Sequence, residues 1–95
     1  QQTAQLETTY ISPAGEEKVG FSVTVDADGV ITAASTTVMS KNPTSVMRQK
    51  SFGDGMTAAL QGKKFSELQS VDRIGGSSLT TAAFNKALAD LKQQI

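Results

Sequence analysis

Alternation is the clearest signal along this chain. Val19, Phe21, Val23 and Val25 alternate with Gly20, Ser22, Thr24 and Asp26, the period-two pattern of a strand with one buried face. Asp26-Ala27-Asp28-Gly29 follows, and Asp28-Gly29 suits the positive φ angles of a tight turn. A return strand from Val30 to about Ser40 completes a hairpin. Its register has two solutions. A loop of two or four residues sets Val30, Ala34 and Val38 on the face shared with Phe21 and Val23. A three-residue loop with a bulge sets Ile31, Ala33 and Met39 there instead, because a one-residue slip turns every side chain over. The middle of the return strand carries only Ala, Ser and Thr, which leaves room for a close helix or a flat ligand.

Upstream, Gln1 to Thr9 is polar and aperiodic and reads as a tether, with Tyr10-Ile11-Ser12 a short strand before a Pro13-Ala14-Gly15 turn. Downstream, Lys41-Asn42-Pro43 ends the return strand, and Pro43 followed by Thr44 and Ser45 starts a helix. The stripe Val46, Met47, Lys50, Gly53, Met56, Ala59 and Leu60 predicts that helix over about 44–60, with a kink placed near Gly53. Gly62 is its stop, and Phe65 and Leu68 anchor the connector that follows. Ala83, Phe84, Ala87, Leu88, Leu91 and Ile95 mark one face of a last helix, from Ser78 or Thr80 to Gln93. The expected fold class is therefore α+β: a small antiparallel sheet built on a central hairpin and covered by two helices, one domain over 10–95 after a tether at 1–9.

Composition narrows the chemistry. The 95 residues form one small domain, and nine basic residues balance nine acidic ones. No global field draws the chain to nucleic acid or to an anionic membrane surface. There is no His and no Cys, which removes the commonest general base, the thiolate nucleophile and the usual zinc ligands. No run approaches the roughly 18 apolar residues of a membrane-crossing helix. The lack of Cys suits an extracytoplasmic protein and a cytosolic one alike, and a start at Gln1 is expected of a chain trimmed of an N-terminal anchor or leader.

One segment carries functional chemistry: Val71-Asp72-Arg73-Ile74-Gly75-Gly76-Ser77-Ser78-Leu79-Thr80, leading into the last helix. Gly75 and Gly76 let main chain approach an anion closely. Ser77, Ser78, Thr80 and Thr81 offer hydroxyls, Arg73 a charge, and the helix N-terminus free N–H groups and partial positive charge. The plainer reading makes Gly75-Gly76 a turn, Ser78 or Thr80 the helix N-cap, and Asp72 an acceptor for loop N–H groups.

Asp72 through Thr81, with Ala82-Ala83-Phe84 behind, resembles the signature of the FMN-binding domain family, found in subunits of the sodium-pumping NADH:quinone reductase, in related electron-transfer complexes and in exported flavoproteins. The family pattern is Asp, two residues, Ser or Thr, Gly, Ala, Thr, one residue, Thr, Ser, then an apolar helix. Upstream, the Val-rich strand, Asp28-Gly29-Val30-Ile31 and Gly62-Lys63 match in order. Gly75, Ser77 and Ser78 depart from the pattern, while Gly76, Thr80 and Thr81 keep its character. The resemblance implies FMN as cofactor, with Asp72, Arg73, Gly75, Gly76, Ser77, Ser78, Thr80 and Thr81 around it. It also implies Ser78 as the position that, in members with covalent flavin, is esterified by the FMN phosphate. A flavin transferase and a membrane electron-transfer complex are the implied partners, with an extracytoplasmic location. Bound flavin rings are flanked in this expectation by Met39, Met47 or Met56, although ordinary core packing explains these as well, as it does Phe21, Phe52, Phe65 and Phe84. Lys63-Lys64 reads as a solvated pair and Tyr10 as a strand anchor.

The leading functional expectation is an electron-transfer module that lets the flavin do the chemistry. The alternative is a flavin-free structural or interaction domain of an exported protein with the same fold. An enzyme with its own catalytic residues ranks third, because no nucleophile–base pair can be named.

Overall fold

A computed structural model of the chain, described for residues 1–13, 15–72, 74 and 78–95, is an α+β layer. A three-stranded antiparallel sheet, in the order β1 (Gln2–Ser12), β2 (Gly15–Val25), β3 (Ile31–Val38), is covered on one face by α1 (Pro43–Leu60) and α2 (Ser78–Gln93). A 3-10 turn, Phe65–Glu67, lies in the connector between the helices. An eleven-residue strand, at about 3.3 Å per residue, spans most of the 40 Å long axis of the molecule.

The polar stretch expected to be a tether is instead most of β1. It pairs with β2 along its length, from Gln2 opposite Val25 to Ser12 opposite Gly15. Ala4 is buried, and Leu6, Thr8 and Tyr10 on the same face are half-buried. Their partners Val23, Phe21, Val19 and Glu17 are buried on β2. β2 supplies the apolar surface that β1 lacks, so a strand with little hydrophobic signal is held by its neighbour.

The expected β2–β3 hairpin is present, and a bulge uses parts of both registers. Asp26 organises the turn: its Oδ1 accepts the Asp28 and Val30 N–H groups, and Gly29 takes φ +79°. Ile31 is buried opposite Val25, the register shifts at Thr24/Val25, and Ala34, Thr36 and Val38 then lie opposite Val23, Phe21 and Val19. The bulge thus brings both Ile31 and Ala34 to the core face.

The small side chains of β3 admit a helix. A Cβ on Gly53 would stand 3.1 Å from Thr36 Cβ, the Thr57 hydroxyl donates to Ala34 O at 2.7 Å, and Thr36 donates to the Met56 sulfur. α1 runs unbroken through the expected kink; Gly53 serves close approach. Asn42 caps it, accepting from Thr44 and Ser45 N–H with Pro43 at its first turn. Its buried stripe is Ser45, Gln49, Phe52, Met56 and Leu60: Met56 and Leu60 hold as expected, while the first turns lie one step away from the expected positions and Met47 is 69% exposed. Gln49 is completely buried because its amide is fully engaged. Nε2 donates to Tyr10 Oη and Lys18 O, and Oε1 accepts Met39 N–H, tying α1 to all three strands or their ends.

The core gathers on three rings, Phe21 of β2, Phe52 of α1 and Phe84 of α2, with Phe65 and Leu68 closing one end as expected. The stripe of α2 holds as read from Ala83 to Leu91, whereas Ile95 lies past the helix and is 42% exposed.

Candidate functional site

The segment before α2 runs back along that helix and is fastened to it at regular steps. Lys92 Nζ donates to Leu68 O at 2.6 Å. Asn85 receives Val71 N–H at Oδ1 (2.8 Å) and donates Nδ2 to Val71 O (3.1 Å). Thr81 Oγ1 accepts Ile74 N–H at 3.1 Å. Leu68, Val71 and Ile74 recur every third residue, and Leu68 and Ile74 are buried. From the other side, α1 reaches Ile74 at Gly55, where an added Cβ would lie 2.7 Å from Ile74 Cγ2.

Among the residues expected at the site, Asp72 is exposed and Ser78 is exposed at the first position of α2. Thr80 and Thr81 are buried. Arg73, Gly75, Gly76 and Ser77 lie outside the described residues. Thr80 does not cap the helix: its hydroxyl is completely buried and has no hydrogen-bond partner among the described residues. Thr81 does cap something, but it is the connector at Ile74, not α2 itself. The α2 N-terminus therefore follows a segment whose last described residue is pinned, with Ser78 facing solvent and the Thr80 hydroxyl left over beneath it.

The three methionines do not assemble. Met56 is core, Met47 is on the solvent side of α1, and Met39 Sδ lies on the far face of the sheet, 3.7 Å from where a Gly20 Cβ would be. The four phenylalanines are all buried, and Tyr10 anchors β1 through Gln49. Lys63 and Lys64 are exposed, their main chains pairing with Ile31 and Val30.

Asn85 and Lys92 escaped the sequence reading. Each is a polar residue on a helix, and neither spacing nor residue type marks it; only the return path of the connector gives it a partner. At the C-terminal end of α2 an open depression of about 330 Å³ is lined by Gly29, Phe65, Ser66, Lys92 and Ile95, at the other end of α2 from the loop. Among the described residues no helix is long and apolar enough to cross a membrane, and no group of three acidic residues lies together as a metal site would require. Comparison with protein-family models, with curated proteins and with solved structures found no match.

Proposed function

We propose that this domain holds flavin mononucleotide by its phosphate at the loop before α2 and serves as an electron-transfer module. The observation that carries the reading is the Thr80 hydroxyl, fully buried in the first turn of α2 with no partner among the described residues. An unpaired buried hydroxyl costs about 1–3 kcal/mol, and a phosphate at a helix N-terminus offers the acceptor that would remove the cost. The flavin, when bound, supplies the redox chemistry. The chain's own residues bind and orient it. Asn85 and Thr81 hold Val71 and Ile74 against α2, so the loop between them starts from fixed ground. Ser78, exposed at the head of the helix, presents its hydroxyl either as a hydrogen-bond donor to phosphate or as the oxygen that a separate flavin transferase esterifies. Asp72, also exposed, is open to such a transferase. By sequence, Arg73, Gly75, Gly76 and Ser77 complete the cradle. An extracytoplasmic site beside a membrane electron-transfer complex belongs to the same reading.

The reading stands or falls on a titration. FMN fluorescence is quenched when the pure protein is added, and co-expression with a flavin transferase adds the mass of FMN. Absence of both effects refutes flavin binding. Added mass that persists in Ser78→Ala refutes only the attachment residue. A different observation favours the second reading, a flavin-free interaction domain: one face of the sheet carries no helix, and the β1 edge from Glu7 to Ile11 has no partner among the described residues.

A further inference from the structure

We propose that the open half of the β1 edge joins a second copy of this chain, β1 against β1, antiparallel about a two-fold axis at Thr9. One continuous sheet then runs through both chains. This is independent of the flavin reading.

The Gln94 side chain acts on β1 like a one-residue strand: Oε1 accepts Gln5 N–H at 2.9 Å and Nε2 donates to Gln5 O at 2.8 Å. The main-chain groups of Gln5 therefore point away from β2. Antiparallel alternation gives Glu7, Thr9 and Ile11 the same outward direction. Gln94 closes the edge at Gln5, and Pro13, which has no N–H, ends it beyond Ser12. Between these limits, the outward N–H and C=O groups of Glu7, Thr9 and Ile11 meet no partner among the described residues.

The opposite edge is engaged in part. On β3, Ile31 N–H donates to Lys63 O and Ile31 O accepts Gly62 N–H. Ala34 O accepts from Thr57, and just past the strand Met39 N–H donates to Gln49. Gln94 at Gln5 and Pro13 beyond Ser12 thus bound a window of defined length on the β1 edge. An open edge is a template for strand pairing.

The window is self-complementary. With the two-fold at Thr9, Glu7 faces the partner's Ile11, Thr9 faces the partner's Thr9, and every free N–H and C=O of the window is paired. Moving the centre to Thr8 brings Gln5 into the pairing and expels Gln94. Moving it to Glu7 does the same and also sets two Glu7 carboxylates face to face, which is unfavourable. Moving it to Tyr10 sets Glu7 against Pro13, which cannot donate. Ile11, 71% exposed and on the uncovered face, gains cover from the methylenes of the partner's Glu7. The Glu7–Lys18 ion pair (3.2 Å) keeps that carboxylate directed along its own chain. A foreign strand has no reason to fit this register; a second copy fits it by symmetry.

The test uses light scattering from micromolar to millimolar protein together with single-cysteine variants, the chain having no cysteine of its own. The expected result is a concentration-dependent dimer whose dissociation constant rises at least about tenfold in Thr9→Pro, since both copies lose an N–H···O bond at the central pair. Pro at an outward edge position spares the β1–β2 ladder. Directly opposed residues of such a pair lie about 5.5 Å apart at Cα, within disulfide reach. Thr9→Cys therefore gives a covalent dimer on oxidation, and Thr24→Cys, on β2 away from the edge, does not. A monomer throughout overturns the proposal, including one that captures an added extended peptide at this edge. So does a dimer unaffected by a folded Thr9→Pro, or equal cross-linking of Thr24→Cys. If Thr9→Pro unfolds, the cysteine pair decides.

Discussion

Phe84 of α2 stands edge-on to Phe21 of β2, with ring centroids 5.1 Å apart and planes at 83°. Phe52 of α1 lies 5.6 Å from each of them. The sheet and both helices meet at these rings, the centre of the one apolar core among the described residues. Phe84→Ala is expected to destabilise the domain by about 3–5 kcal/mol. Urea unfolding followed by circular dichroism measures it; a loss below about 1 kcal/mol, with an unchanged denaturant slope, contradicts this account of the core.

Gly55 sets two effects against each other. Gly→Ala inside an exposed helix gains roughly 1 kcal/mol, but here the new methyl meets Ile74 Cγ2 at 2.7 Å, and overpacking costs about 1–3 kcal/mol. Both sides are held, α1 by the core and Ile74 by Thr81, so the clash wins. Gly55→Ala should destabilise. In the background of Ile74→Ala, which removes the clashing carbon, the same change should become neutral or favourable. A double-mutant cycle with no coupling energy refutes the contact.

Asn85 satisfies both main-chain groups of Val71. Replacing it with Ala leaves two half-buried groups unpaired and is expected to cost about 1–3 kcal/mol. Amide exchange separates this from a general loss. The Val71 amide should exchange faster by more than the drop in global stability explains, while the Phe21 amide should follow global stability alone.

How much of this was legible depends on where each residue's partners sit. β2 could be read directly, because its alternate residues are buried by its own pattern. The β2–β3 turn was equally plain, since Asp26 and Gly29 act within a few residues. β1 was legible only at its Tyr10-Ile11-Ser12 end, because the burial of the rest is lent by β2 and its core face carries little more than Ala4, Leu6 and Tyr10. The phase of α1 slipped because Ser45 and Gln49 look like surface residues. Only the Gln49 bonds to Tyr10, Lys18 and Met39 make burial affordable, and those partners are 10–39 residues away. At the candidate site, the helix start and the hydroxyls were visible, while Asn85 became meaningful only once the connector was seen to double back.

Thr80 and Thr81 are adjacent, both buried, and opposite in what their hydroxyls do, which makes them a matched pair for the last prediction. Thr81 Oγ1 accepts the Ile74 N–H; Thr80 Oγ1 has no partner among the described residues. Thr81→Val should lower stability by about 1–3 kcal/mol, since a buried N–H loses its acceptor. Thr80→Val removes a hydroxyl whose burial is uncompensated and should leave the flavin-free domain equally stable or more so. If the phosphate of FMN takes up the Thr80 hydroxyl, the same change weakens FMN binding while it stabilises the empty domain. Thermal melts with and without FMN read both effects in one experiment, because a ligand raises stability only through its affinity for the folded state. A Thr80→Val protein that melts higher and gains as much from FMN as the parent separates the orphan hydroxyl from the phosphate and removes the main support for the flavin reading.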